Sequence, residues 1–239
     1  MKQRIKNVLI TRQPNQSVEF INELSKSGFH PFLLPMIKTI PLDYSVSSNN
    51  YDFIVFTSTN AVTYFANNLK KIKFKNIIAV GEKTASLLKQ FDIIPNIIPD
   101  EFSAEGLIKV LDNMDIKNNF FLIPTTPARS DLLENYLKQR KALVEICYIY
   151  KTVEENYPEG YIDNFVINNN IDTVTFASPS AARSFLKQAK NINLNLLTII
   201  SIGKTTAKFL EKEGIKSYYP EKYTVKEMVK LISSLSKNN

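Results

Sequence analysis

The sequence predicts an α/β protein of two Rossmann- or flavodoxin-like domains with parallel sheets. Short apolar runs alternate with amphipathic helical segments along its 239 residues, a pattern typical of parallel strands covered by helices. Two stretches also recur. Ile77–Ile93 returns as Ile199–Ile215 with seven of 17 positions identical, and Asp52–Phe65 returns as Asp172–Phe185 with five of 14 identical. The chain is therefore predicted to be internally duplicated.

Composition narrows the class of protein. With 44% hydrophobic and 22% charged residues, the chain has an ordinary globular composition and no apolar run long enough to span a membrane. One cysteine and one histidine, Cys147 and His30, argue against an internal disulfide and a metal centre built on these residue types. We therefore expect a cytoplasmic protein without metal or cofactor, in which Cys147 and His30 are structural.

The formal charge of +7 fits three explanations, which the sequence leaves open: nucleic acid, an acidic small molecule, or a solvated basic surface. The lysines are scattered along helices instead of forming a stripe, which disfavours nucleic acid.

The N-terminal segment, called A, begins with a predicted strand at Val8–Thr11 that ends at Arg12. A helix with an apolar stripe follows and stops near Gly28. The segment Phe32–Pro41 is extended and contains two prolines, which indicates an edge or linker strand. The polar stretch Asp43–Asn50 is a predicted loop.

Segment B begins at Asp52 with a strand that runs into a polar turn and a helix. A second strand then ends at the Gly81 turn, and Ser103 opens a further helix. Segment A′ contains a strand at Phe120–Pro124, a helix at Arg129–Arg140 and a strand at Leu143–Tyr150. Segment B′ repeats B, with its glycine turn at Gly203. The order A–B–A′–B′ leaves open which segments fold together.

Small polar residues follow the predicted strands, where parallel sheets bind ligands. Hydroxyls and backbone N–H groups at helix N-termini bind carboxylate or phosphate. Simple helix capping explains the same residue types, but their repetition in both halves favours a polyanionic ligand. The candidate residues are Thr11, Arg12, Thr57, Ser58, Asn60, Gly81, Thr84, Ser103, Ser178, Ser180, Gly203, Thr205 and Thr206.

Several familiar motifs are absent. Gly203-Lys204-Thr205 resembles the end of a phosphate-binding P-loop, but the first glycine of that motif would fall on Thr198. Neither a G-x-G-x-x-G fingerprint nor a G-x-S-x-G nucleophile turn occurs.

An ordered set of short motifs resembles the uroporphyrinogen-III synthase family over almost the whole chain. The matching pieces are Val8–Arg12, Phe56–Val62, Ala79–Ala85, Phe102–Leu107, Tyr148–Val153, Phe176–Phe185, Ser201–Leu210 and Tyr219–Glu221. The resemblance implies that A folds with B′ and that B folds with A′. Residues 1–36 and 152–239 would then form one domain and residues 42–147 the other, joined by a ladder of the linkers 37–41 and 148–151. Two such domains facing one another would enclose a cleft.

The resemblance also implies a reaction, the cyclisation of hydroxymethylbilane to uroporphyrinogen III with loss of water and inversion of ring D. Tyr150 matches the tyrosine proposed in the family to assist departure of the hydroxyl, and Thr84 and Thr206 match threonines on its glycine turns. Glu82 places an acid in the first glycine turn, which is expected to face substrate carboxylates. Arg129 is a further candidate, because its positive charge would compensate for that acid. We expect no cofactor, no nucleic acid or membrane partner, a monomer, and transient handover of substrate from hydroxymethylbilane synthase.

Two other classes share the predicted layout. One is a non-catalytic two-domain binding protein for an acidic small molecule, which turnover of the bilane would distinguish. The other is a sugar-nucleotide transferase, which the absent phosphate loop disfavours.

Overall fold

The computed structural model describes residues 6–237, which divide into two compact units. Unit 1 contains the chain up to Lys38 and again from Val153, and unit 2 contains Thr39–Thr152. The strands are β1 (Asn7–Ile10), β2 (His30–Leu33), β3 (Ile37–Pro41), β4 (Asn50–Phe56), β5 (Lys73–Ala79), β6 (Phe120–Thr125), β7 (Leu143–Tyr148), β8 (Tyr150–Glu154), β9 (Thr173–Phe176) and β10 (Thr198–Ser201). The α-helices are α1 (Pro14–Lys26), α2 (Thr59–Phe65), α3 (Glu82–Lys89), α4 (Ala104–Asp112), α5 (Leu132–Gln139), α6 (Tyr161–Asn168), α7 (Pro179–Gln188), α8 (Lys204–Lys212) and α9 (Val225–Lys237).

Each unit contains a four-stranded parallel sheet. The strand order is β10-β9-β1-β2 in unit 1 and β5-β4-β6-β7 in unit 2. A third, two-stranded sheet pairs β3 with β8, and both boundaries between the units fall within these two strands. The predicted fold class, a duplicated α/β protein with parallel sheets and a two-stranded linker ladder, is confirmed.

Helices cover both faces of each sheet. In unit 2 the alternation of β4 sends Ile54 and Phe56 toward the cluster with α2 and α3, and Phe53 and Val55 toward the cluster with α4 and α5. In unit 1, α6, α7 and α8 pack on one face of the sheet, and α1 and α9 pack on the other. Burial on both faces explains why the strands are continuous apolar runs.

One hydrogen bond recurs at the start of the central strands of both sheets. The Asp52 carboxylate accepts from the Phe120 backbone N–H at 2.8 Å in unit 2. In unit 1 the Asp172 carboxylate accepts from the Asn7 N–H at 2.9 Å. Each aspartate lies at the beginning of the first strand of segment B or B′. It binds the first residue of the neighbouring strand, which belongs to segment A′ or A. This pairing gives the repeated aspartate a structural role.

The structure corrects some element boundaries. Helix α5 begins at Leu132, not at Arg129, and Arg129 lies in the turn before it. The predicted strand Leu143–Tyr150 is interrupted at Ile149, so that Tyr150 opens β8. The segment Phe32–Pro41 is likewise divided into β2 and β3 by a break that contains Pro35. Across residues 6–237, no helix combines the length and apolar character needed to cross a bilayer.

Candidate functional site

The candidate site residues of unit 2 lie mostly at one edge of its sheet. Because all four strands are parallel, they end at the same edge, which we call the carboxyl edge. Thr57 and Ser58 follow β4, Gly81 follows β5, and Arg129 lies in the turn after β6. Tyr150 follows β7 after a single residue. The carboxyl edge of unit 2 therefore brings together a phenol, hydroxyls and a helix N-terminus.

Tyr150 is the best-defined group at this edge. Its side chain is 5% exposed, and its hydroxyl lies 3.2 Å from the Ser58 hydroxyl. Its ring stacks on Tyr64 with centroids 5.4 Å apart and an interplanar angle of 16°. Burial raises the pKa of Tyr150, whereas hydrogen bonds from Ser58 and Asn60 lower it and the nearby Tyr64 raises it further. The net effect is a raised pKa, so the phenol stays protonated at neutral pH and can donate a proton.

Tyr64 was not among the residues predicted from the sequence. Its hydroxyl donates to the Thr39 carbonyl oxygen at 2.8 Å, which fixes the ring that lies against Tyr150. Tyr64 follows Asn60 by four residues on α2, so helical spacing alone places both side chains on the same face. That spacing is the signal that could have identified it.

Gly81 directly precedes helix α3 and, being a glycine, provides no side-chain cap. Gly81 adopts a φ of 113°, a conformation that favours glycine. The first intrahelical bond runs from the Ala85 N–H to the Gly81 carbonyl, so the geometry of the helix leaves the N–H groups of its first turn without intrahelical partners. Thr84 is buried in this turn. An uncapped helix start of this kind is suited to an anion.

In unit 1 the corresponding helix α8 also begins at a glycine without a side-chain cap. Gly203 has an extended φ of −173°, so its glycine is explained by a close contact with the ring of Tyr223 instead of by backbone strain. Thr206 is buried and occupies the same place in α8 as Thr84 does in α3, and Thr205 beside it is exposed. The repeated glycine therefore builds two similar helix starts for different physical reasons.

Arg12 follows β1 at the carboxyl edge of unit 1 and is half-buried. Its Nε atom is buried and has no hydrogen-bond partner among the described residues. Burial lowers the pKa of the Arg12 guanidinium, and the nearby Glu19 raises it. A charged group that is partly desolvated in this way gains from a carboxylate ligand.

Other candidates serve the fold directly. Thr11 is fully buried and its hydroxyl donates to the Thr175 carbonyl at 2.7 Å, so this hydroxyl is not available to a ligand. Arg129 forms ion pairs with Glu134 and, at 3.1 Å, with Asp131, and its buried Nε has no hydrogen-bond partner among the described residues. Its charge is therefore already balanced, which weakens the expectation that it compensates for Glu82.

The serines at the helix starts are caps. Ser58 and Ser178 each accept the N–H of the residue three positions later at 3.2 Å, and Ser103 accepts the Gly106 N–H at 3.0 Å. Ser58 differs from the other two because its hydroxyl also contacts Tyr150. Ser180 and Thr57 are exposed at the carboxyl edges, where they remain open to a ligand.

Comparison with known proteins places these features in a family. The sequence model described as Uroporphyrinogen-III synthase HemD matches residues 18–230. The chain is 32% identical to a uroporphyrinogen-III synthase homologue from Methanocaldococcus jannaschii, over 95% of this chain and 98% of that protein. It is 28% identical to the uroporphyrinogen-III synthase of Chlorobaculum parvum, over 98% of this chain and 100% of that protein.

A solved structure shares the fold. The crystal structure of uroporphyrinogen-III synthetase from Helicobacter pylori superposes with a TM-score of 0.67 at 19% identity, covering 97% of this chain and 100% of that chain. The family match spans most of both units and agrees with the resemblance of the sequence motifs. The chain belongs to the uroporphyrinogen-III synthase family.

Proposed function

We propose that this chain is a uroporphyrinogen-III synthase, a cyclising lyase that converts hydroxymethylbilane to uroporphyrinogen III with loss of water and inversion of ring D. The observation that carries the proposal is the family match over residues 18–230. The geometry supports it, because each unit presents a carboxyl edge with an uncapped helix start, and one edge adds a buried phenol.

The substrate carries eight carboxylates, and we assign their recognition to the uncapped starts of α3 and α8 and to Arg12. Helix N-termini hold carboxylates through backbone N–H groups and the helix dipole. Arg12 adds a guanidinium whose Nε is unpartnered among the described residues. Thr84 and Thr206 hold the turns in shape, and the exposed Thr57, Ser180 and Thr205 supply hydroxyls near the bound carboxylates.

Tyr150 is assigned to the departure of the hydroxyl. The C–O bond of the hydroxymethyl group breaks as the pyrrole nitrogen supplies electrons, and the Tyr150 phenol transfers its proton to the leaving oxygen, which departs as water. The resulting cation attacks ring D to form a spiro intermediate, which reopens and closes with ring D reversed. The proton released at closure returns to the phenolate, so that the overall change is loss of one water.

Within this assignment the protein mainly orients the substrate. The pyrroles supply the electrons, and the free bilane closes on its own to the uninverted isomer I. The enzyme must therefore fold the chain of rings so that inversion precedes closure. Ser58, Asn60 and Tyr64 hold the Tyr150 phenol in one position for this purpose.

Freshly generated hydroxymethylbilane tests the proposal. After incubation with the protein, oxidation and chromatography separate the uroporphyrin isomers, and we expect isomer III to predominate over a control without protein. Isomer I alone, from folded protein, would contradict the proposal and favour the alternative of a non-catalytic binding protein for an acidic small molecule.

The partners follow from the same proposal. We expect the enzyme to act as a monomer in the cytoplasm and to receive its unstable substrate by transient contact with hydroxymethylbilane synthase. Light scattering measures the mass of the free protein. In a coupled assay, an excess of an inactive variant of this protein should compete for handover only if the two enzymes make contact.

A further inference from the structure

A groove with a volume of about 490 Å³ runs along helix α8 in unit 1. One wall is α8 itself, and the other is formed by residues of the segment from Gly214 to Tyr219. Tyr218 in this segment pairs with Ile200 of β10, so the second wall lies at the outer edge of the sheet. A groove of this volume is large enough to hold a small organic molecule.

Three lysines line this groove, Lys204 and Lys208 from α8 and Lys216 from the opposite wall. Their side chains are exposed, and within the described part of the chain none of them forms an ion pair. The Lys216 ammonium lies 5.6 Å from the centre of the Tyr218 ring, a cation–π contact. Glu211 adds one carboxylate to the described lining, which leaves the groove with a net charge of +2.

The internal repeat indicates that the fold does not require the two lysines of α8. Lys204 and Lys208 correspond to Glu82 and Ser86 of the equivalent helix α3 in unit 2. Glu82 lies in the first turn of α3, where the helix dipole favours an acid, whereas Lys204 places a cation in the first turn of α8. The groove of unit 1 therefore has positive charges that its own helix does not favour and that a bound anion would balance.

The remaining lining residues narrow the class of anion. Ammonium groups bind both carboxylate and phosphate. Between the charged groups the groove is lined by the apolar Ala207 and Ile215 and by the aromatic Tyr219. Tyr219 is 43% exposed, so its ring is accessible for stacking against a flat ligand. An aromatic molecule with two acidic charges matches both the net charge and the apolar surface.

We propose that this groove binds a small aromatic dianion, either an aromatic dicarboxylate or a phosphate monoester that carries an aromatic ring. Lys204, Lys208 and Lys216 bind the acidic groups, and Tyr219 stacks on the ring. The site is built from residues of unit 1 alone, and its side chains are not among those assigned to the proposed reaction. It is therefore independent of the proposed synthase activity.

Nuclear magnetic resonance of the isotope-labelled full chain tests the proposal. Phthalate and adenosine monophosphate are the two aromatic probes, and succinate is the reference dicarboxylate without a ring. The amides of Gly214 and Ser217 report on the groove, and Gly28, in the turn after α1 on the opposite face of the sheet, reports on a distant position. At low salt we expect saturable shifts at Gly214 and Ser217, but not at Gly28, with a Kd of about 1 mM or tighter for at least one aromatic probe. Succinate should bind about fivefold more weakly, because it lacks the stacked ring.

Substitutions test the charges. Lys208→Met and Lys216→Met each remove one ammonium group and should weaken binding of the probe about fivefold. Glu211→Gln removes the opposing carboxylate and should strengthen binding by a similar factor. Lys212→Met is the matched control, because Lys212 is an exposed lysine of the same helix that is not part of the described lining. This control should bind the probe as the wild type does.

Three results would overturn the inference. The first is the absence of saturable shifts at Gly214 and Ser217 up to about 10 mM of either aromatic probe. The second is binding of succinate as tight as that of the aromatic probes, and the third is a Lys212→Met variant weakened as much as Lys208→Met, since overall charge would then explain binding. Binding of only one aromatic probe would support the site and identify its acidic group as carboxylate or phosphate. None of these outcomes depends on which uroporphyrin isomer the protein forms.

Discussion

At the scale of the residue, the decisive contrast is between hydroxyls that serve the fold and hydroxyls that remain available. Thr11 and Thr57 both follow strands and look alike in sequence, yet the Thr11 hydroxyl is bonded to the Thr175 carbonyl inside the sheet, whereas Thr57 is exposed. Tyr150 differs from both because it is held on several sides and still lies at the carboxyl edge. Whether a hydroxyl is available to a ligand depends on hydrogen-bond partners that are distant in sequence, so residue type alone does not predict it.

Removing the Tyr150 hydroxyl should slow the reaction without abolishing it. We expect Tyr150→Phe to lower kcat about tenfold, because the substrate supplies its own electrons and the phenol assists only the departure of water. Tyr157→Phe is the matched control, since it also removes one hydrogen-bonded phenol hydroxyl while keeping a stacked ring. Steady-state formation of isomer III measures both. Equal rates for the two variants would remove Tyr150 from the chemistry.

Asp52 should make stability depend on pH. Lys75 at 2.7 Å and the Phe120 N–H at 2.8 Å lower the pKa of Asp52, against an opposing effect of burial. A lowered folded-state pKa contributes stability above the ordinary aspartate value of about 3.9, and this contribution is lost as the pH falls through the folded value. We expect Asp52→Asn to cost about 1–2 kcal/mol at pH 7 and progressively less below pH 4.

Urea unfolding of wild type and variant across this pH range measures the difference. Lys75→Met, which removes the ion pair and keeps the carboxylate, should show a smaller loss because the Phe120 hydrogen bond remains. If the difference in free energy of unfolding between wild type and Asp52→Asn stayed constant down to about pH 2, the lowered pKa of Asp52 would be contradicted.

At the scale of the element, some glycines are required because a side chain would clash, and others because the backbone adopts a positive φ. Gly106 lies inside α4, where alanine normally stabilises a helix by about 1 kcal/mol. Here an added Cβ would lie 2.0 Å from the Glu101 carbonyl oxygen, which is backbone and cannot easily move away. The start of α4 is therefore held close to the preceding turn by the absence of a side chain.

We expect Gly106→Ala to destabilise the protein by about 3 kcal/mol, as severe overpacking does. Gly28→Ala is the comparison, because Gly28 has a φ of 80° and no atom within 4 Å of an added Cβ, so it suffers only conformational strain of about 1 kcal/mol. The Tm of each variant, measured by thermal unfolding, shows which substitution costs more stability. If Gly106→Ala were the milder of the two, the close contact would not be limiting.

Sequence patterns predicted the elements better than their ends. The apolar runs and glycine turns predicted the two parallel sheets and their carboxyl edges, because burial on both faces leaves a clear signal. The start of α5 was wrong because Arg129 is drawn into ion pairs with Glu134 and Asp131 in the turn before the helix. The stacking of Tyr64 on Tyr150 was not predicted, since a contact between residues distant in sequence is a property of the folded chain. The substrate-binding residues stay a prediction.

At the scale of the whole molecule, the two units close their sheets over very different lengths of chain. The hydrogen bond from Phe120 to Asp52 in unit 2 joins residues 68 positions apart, whereas the equivalent bond from Asn7 to Asp172 in unit 1 joins residues 165 apart. Longer loops cost more entropy to close and slow the formation of the contacts that depend on them.

We therefore expect the sheet of unit 2 to form before that of unit 1 during refolding. Pulsed hydrogen exchange should show early protection of the Phe120 amide and later protection of the Asn7 amide, both of which donate to the recurring aspartates. Any difference between the intrinsic exchange rates of the two amides is corrected with the rates measured in the unfolded chain. Simultaneous protection of the two amides would show that loop length does not determine the order.

The ladder strands show how far the two halves have diverged since duplication. β8 begins with Tyr150, whereas β3, its counterpart in the repeat, begins with Ile37. Both halves kept the serine cap and the glycine turn, but only one has the phenol. Hydroxymethylbilane has a hydroxymethyl group at one end only, so a second acid would have had no leaving group to protonate. Under the role proposed for Tyr150, only one repeat needs a catalytic group, and the asymmetry of the substrate corresponds to a difference between two otherwise similar repeats.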